Sequence, residues 1–124
     1  MIQYANQMLV TERELMTGGK RWIERDRYGN SVYLTHERWG HIVESINHPE
    51  MSVYEEQLKE TIRSGNRKQD SLNPRKYRYV KAFDGLAENN THIIAIVLFS
   101  FSKGESGEPV PNNYIVTAYQ KELG

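Results

Sequence analysis

Three features of this 124-residue sequence could each do chemistry on a phosphate: His41, the basic residues of 63–81, Arg63 and Arg78 among them, and the pair Thr117 and Tyr119. Trp39, Ile42, Val43 and Ile46 recur at helical spacing. At about 100° per residue His41 therefore points away from that apolar face, together with Arg38 and Ser45. An imidazole held off the core and titrating near neutrality can take or give a proton. Guanidinium groups such as those of Arg63 and Arg78 grip phosphate in a two-pronged fork and stabilise charge that builds on it. Thr117 and Tyr119 stand two residues apart on one strand face, where a hydroxyl pair can hold a phosphate oxygen or protonate a departing one. Each feature also has a plain reading: a surface histidine, a solvated basic segment, and Thr and Tyr as ordinary strand formers.

Both arginines belong to the most polarised part of the chain. Residues 63–81 hold seven of the sixteen Lys and Arg residues (Arg63, Arg67, Lys68, Arg75, Lys76, Arg78, Lys81) and a single acid, Asp70. The window carries +6 and the rest of the neutral chain −6, and such a local surface attracts polyanions. Tyr77 and Tyr79 interleave with the cations and can stack on bases, which makes the window a candidate nucleic-acid site. A basic hairpin with no partner has the same composition. Side chains alternate along a strand, so Arg78 faces opposite to Tyr77 and Tyr79 and only one set can line a cleft.

The other histidines point elsewhere. His36 sits in a first helical turn, His48 before Pro49 reads as a structural corner that ties off free helix carbonyls, and His92 stands at the mouth of an apolar strand. The spacing of His36, His41 and His48 does not put three ligands on one helical face, and no HExxH pair or cysteine exists. No metal and no cofactor are expected. A Walker loop, a dinucleotide glycine fingerprint and a GxSxG elbow are all missing. A cysteine-free chain fits a reducing, cytoplasmic interior, and no basic start with an apolar run suggests secretion or a membrane.

The elements that must position these residues follow from local signals. Residues 1–19 form an N-terminal appendage, with a weak stripe of Ile2, Ala5, Leu9 and Met16 and a break at Gly18-Gly19. It is either a partly ordered tail or a segment that orders against a partner. Residues 20–124 form a single domain, large enough for one modest core. Trp22, Ile23 and Val32, Tyr33, Leu34 flank Tyr28-Gly29-Asn30 as two short strands around a turn. Thr35 caps a helix that runs to Asn47-His48-Pro49. Ser52 and Glu55 form a capping box for a second helix, with Val53, Leu58 and Ile62 inward, Glu55 and Lys59 paired, and Gly65 as terminator. Strands are expected at 67–72, 77–83, 93–101 and 114–120, with 93–101 central and covered on both faces, and a loop at 104–111. The expected fold is α+β, two N-terminal helices packed on one face of a four-stranded antiparallel sheet.

Residues 34–42 (LTHERWGHI), 48–51 (HPEM), 60–63 (ETIR) and 116–119 (VTAY), in that order, resemble the barnase–EndoU–colicin–RelE-like ribonuclease superfamily, in its phage-associated and polymorphic-toxin branches. The resemblance spans residues 20–122. It implies a metal-independent endoribonuclease in which His41, Arg63 or Arg78, Thr117 and Tyr119 converge on the scissile phosphate. The ribose 2′-hydroxyl would attack its own phosphodiester and leave a 2′,3′-cyclic phosphate. His41 would take the proton, the arginine would stabilise the phosphate, Thr117 would position an oxygen, and Tyr119 would orient or protonate the leaving 5′-oxygen. Arg67, Lys68, Arg75, Lys76, Tyr77, Tyr79 and Lys81 would bind and steer the RNA, a tRNA or mRNA. The implied partners are that RNA and a cognate antitoxin or immunity protein. Two alternatives stand beside it: a non-catalytic RNA- or ribosome-binding module, and an interaction protein whose basic face meets an acidic partner.

Overall fold

Alternating residues of Lys20–Arg25 (β1) and Ser31–Thr35 (β2) build a hairpin whose inward side carries Trp22, Val32 and Leu34. The computed structural model describes residues 19–124, so the expected appendage and its stripe of Ile2, Ala5, Leu9 and Met16 lie outside the described residues. Thr35 then caps His36–Ile42 (α1), its hydroxyl accepting from the Arg38 amide at 3.0 Å. A 3₁₀ turn at Pro49–Val53 leads into Glu55–Ser64 (α2). The strands Asn66–Gln69 (β3), Lys76–Ala82 (β4), His92–Leu98 (β5), Phe101–Lys103 (β6), Pro109–Pro111 (β7) and Asn113–Lys121 (β8) complete the described chain. None of its helices is long and apolar enough to cross a membrane.

The architecture corrects the expected four-stranded antiparallel sheet with two leading helices. Six strands form one mixed sheet in the order β1-β2-β8-β5-β4-β3, with β2 parallel to β8 and every other pair antiparallel. Both helices follow the first hairpin. The expected loop at 104–111 ends in β7, which pairs with β6 just before it to make a second, two-stranded sheet. The pairing that changes the topology, Val32 with Asn113 and Tyr33 with Tyr114, joins segments about eighty residues apart and leaves no local sequence signal.

Both helices are shorter than their patterns suggest. After Ile42 the chain turns; the Asn47 side-chain amide ties off the His41 carbonyl at 2.8 Å, and His48 ties off that of Ile42 at 2.9 Å with its backbone N–H rather than its side chain. Ile46, expected inward, is 85% exposed. Ser52 and Val53 belong to the 3₁₀ turn and Val53 is exposed; Tyr54 precedes α2. The Glu55 carboxylate leaves the helix altogether and accepts from Arg21 on β1 and from the Trp22 indole at 2.9 Å. Lys59 pairs with Glu56 instead, at 3.2 Å. Gly65 does end α2, because a Cβ there would lie 2.4 Å from the Thr61 carbonyl oxygen and 2.9 Å from that of Val80.

The core lies on one face of the sheet. Leu34, Tyr79, Ile93, Ala95, Val97, Ile115 and Ala118 meet Trp39 and Ile42 of α1 and Leu58 and Ile62 of α2. α2 packs across β1, β4 and β5, and so bridges towards the two ends of the sheet. The β1–β2 turn reaches the opposite edge strand over this same face. The Asp26 carboxylate, fully buried, accepts from the Tyr79 hydroxyl of β4 and from Arg67 of β3 at 3.0 Å, and its other oxygen takes the amides of Tyr28 and Asn30 at 2.9 and 2.8 Å. Arg67 also donates to Asn30 at 2.8 Å, under the Tyr28 ring. The sheet is thereby curled, concave on the helix side and convex on the other.

Burial, and then the bond to Asp26, push the Tyr79 hydroxyl well above the ordinary tyrosine range. A raised folded value means that the protonated hydroxyl stabilises the fold fully below the unfolded tyrosine value of about 10, and that this contribution is lost as pH climbs beyond it. Tyr79→Phe should cost about 1–2 kcal/mol in urea unfolding at pH 7, and the difference from the parent should shrink above about pH 10. An unchanged midpoint at pH 7 would show that the hydroxyl does not tie the edges.

Candidate nucleic-acid interface

Directly paired residues of neighbouring strands point to one side, so the register assigns every side chain of the sheet. The convex face carries Lys68, Arg78, Ile96 and Thr117 in one row across β3, β4, β5 and β8. The adjacent rows are Asn66, Val80, Ile94 and Tyr119 on one side and Lys76, Leu98 and Tyr114 on the other, the last continuing to Tyr33 and Ile23. Lys20, Arg25 and Lys121 share this face. Six cations and no strand carboxylate stand on it. The one carboxylate in these six strands, Glu24, points to the helix side.

Three features of the convex face can hold a ligand. Lys68, Lys76 and Arg78 surround a cleft of about 430 Å³ floored by Ile96 and bounded by Gln69, Asp70 and Ser71. Asp70 is committed to its own turn: its carboxylate accepts the amides of Leu72 and Asn73 at 2.8 and 3.0 Å, which hold it below the usual carboxylate range, and Lys76 approaches only to 4.0 Å. Lys68 and Arg78 have no anionic partner among the described residues. Second, the Tyr33 and Tyr114 rings lie 6.0 Å apart, with the Lys20 ammonium 4.7 Å above Tyr33. Third, the His48 ring lies 5.4 Å from that of Tyr119, one step along β8 from Thr117.

Of the residues that the sequence singles out, the structure brings Lys68, Lys76, Arg78, Thr117 and Tyr119 to this face. His41 is at the end of α1, half-exposed, with Glu37 at 3.9 Å. Arg63 bonds Glu24 at 3.0 Å on the helix side. Arg67, Tyr77 and Tyr79 also turn to that side. Arg67 is fixed by Asp26, Tyr77 stacks on Phe99 at 4.6 Å, and Tyr79 is fully buried. Arg75 is exposed in the β3–β4 turn, and Lys81 lines a separate cleft with Gly65 and His92. No group of three or more His, Asp or Glu side chains able to hold a metal occurs among the described residues.

Sequence reasoning missed Lys20, Arg25, Tyr33, Tyr114, Lys121 and the place of His48. The alternation within β1, β2 and β8 contained a signal for the first five, but joining them to the basic window needed the β2–β8 pairing. His48 gave none, since only the corner after α1 brings its ring onto Tyr119.

The two central arginines of the basic window should therefore separate in mutagenesis. Arg67→Ala strands the buried Asp26 charge and should cost about 3 kcal/mol, whereas Arg78→Ala should stay within about 0.5 kcal/mol, both read by urea unfolding. Equal effects would contradict the assigned faces.

No family model, no curated protein and no solved structure matches this chain.

Proposed function

We propose that the protein binds single-stranded RNA across the convex face of its sheet. The observation that carries this reading is the segregation of charge: six Lys and Arg side chains and no carboxylate on the strands of one face, with Tyr33, Tyr114 and Tyr119 among them. Phosphates are attracted to fixed cations through release of their counterions, and unpaired bases stack on tyrosine rings without regard to sequence. A duplex offers its phosphates but not its base faces, so the three tyrosines favour a single strand. Neighbouring strands are about 4.8 Å apart, and a path from the Lys68–Arg78 cleft to the Tyr33–Tyr114 pair crosses room for a few nucleotides. A reducing, cytoplasmic setting, where RNA is available, belongs to the same proposal.

The ring contact between His48 and Tyr119, beside Thr117, favours a second reading in which bound RNA is also cut without metal. The 2′-oxygen would bond to phosphorus while the bond to the 5′-oxygen breaks. His48 would accept the 2′-proton and Tyr119 would protonate the leaving oxygen, giving a 2′,3′-cyclic phosphate and a free 5′-hydroxyl. In this reading His48 takes the part that the family resemblance gives to His41, because the ring of His48 lies against Tyr119.

Fluorescence anisotropy with a labelled single-stranded RNA tests the binding reading. Affinity should fall with salt, and Arg78→Gln should weaken binding several-fold and lower the slope of log K against log salt by about 0.7. Arg63→Gln, on the other side of the sheet, should leave both unchanged. Salt-independent binding, or equal losses in the two variants, would reject the interface. Incubating the same RNA and a DNA of equal sequence in excess chelator decides the second reading: RNA-only cleavage abolished by His48→Ala supports it, and intact RNA rejects it.

A further inference from the structure

We propose that the cleft between Lys68, Lys76 and Arg78 takes a terminal phosphate, the phosphomonoester of a nucleotide or of an RNA end. The inference deepens the RNA-binding reading but rests on the cleft itself. Three cations and one carboxylate line it, a net +2, which matches the dianionic charge of a phosphomonoester better than the single charge of an internal diester. The charge of Asp70 is included in that sum, and its Oδ1 is held in the turn by the Leu72 and Asn73 amides. The two strand arginines on the helix side each have a fixed acidic partner, Arg21 in Glu55 and Arg67 in Asp26. Arg78 and Lys68, directly paired across β3 and β4, are left to an outside anion.

The shape agrees with an end rather than a through-going chain. β3 is the last strand of the sheet, so the cleft lies at the edge opposite β1 and β2, and the turn that begins at Asp70 closes one of its walls. The Ser71 side chain on that wall adds a hydroxyl donor to the guanidinium fork and two ammonium groups. From Ile96, the floor, the same face continues to Thr117 and Tyr114, so a nucleotide whose phosphate sits in the cleft can extend its sugar and base inwards over β5 and β8.

Four probes distinguish the sources of such a phosphate: a short RNA bearing a 5′-phosphate, the same RNA bearing a 3′-phosphate, the same RNA with hydroxyl ends, and a nucleoside monophosphate. Binding is read by calorimetry or by competition with a labelled strand. One of the two phosphorylated ends should bind about tenfold more tightly than the hydroxyl form. That gain should vanish in Lys68→Gln and in Arg78→Gln and persist in Lys103→Gln, a charge change on the separate β6–β7 hairpin. Melting temperatures close to the parent's would show that both cleft variants are folded. If all three RNAs bind alike, the terminal-phosphate site is overturned while RNA binding stands. If the monophosphate binds through Lys68 and Arg78 but no RNA binds, the site stands and the RNA reading falls. Binding of none overturns both.

Discussion

A carboxylate removed from water needs its charge answered at close range, and Asp26 finds its answer across the sheet. It sits in the turn between β1 and β2, yet its partners are Tyr79 on β4 and Arg67 on β3. Losing one partner would leave a buried charge exposed to a low-dielectric surrounding, which costs far more than any single surface pair contributes. The turn is therefore held against the far edge, α2 is clasped between the two ends, and the sheet has one concave and one convex side. Arg27 reinforces the closure from the surface by donating to Asn66 at 2.8 Å. Which residues are core and which meet solvent follows from that curl.

The basic window looks uniform in the sequence and is not uniform in space. Alternation sends Arg67, Tyr77 and Tyr79 into the concave side, where they are structural, and Lys68, Lys76 and Arg78 to the convex side, where a cleft opens between them. A cation that already has a fixed carboxylate is satisfied; one that has none keeps its field for a ligand. Arg63 and Arg67 are of the first kind, Arg78 and Lys68 of the second. Charge density alone could not separate them, and pairing does.

Much of the local structure was legible in the residues. The hairpin around Tyr28-Gly29-Asn30, the cap at Thr35, the stop at Gly65 and the strands near 77–83, 93–101 and 114–120 all carry short-range signals, and each has its counterpart in the fold. Ile46 and Val53 misled because an apolar residue at helical spacing is inward only if the helix continues that far. The six-stranded order was not legible, since the parallel contact of β2 with β8 depends on packing between distant segments. For the candidate site, the sequence pointed to the basic window and the Thr117 and Tyr119 pair, and strand pairing divides that window between the two faces. It could not show that a corner brings the ring of His48 against Tyr119, while His41 stands half-exposed beside Glu37.

On the proposed reading, the central claim is that nucleic acid lies on the convex face of the sheet and not on the helices. Ultraviolet crosslinking of a single-stranded RNA to the protein, followed by mass-spectrometric identification of the attached residues, reads that claim directly. The crosslinks are predicted at Tyr33, Tyr114 or Tyr119, the rings that share this face with the unpaired cations. Crosslinks confined to Trp22, Trp39 or Tyr54, on the helix side, would contradict it.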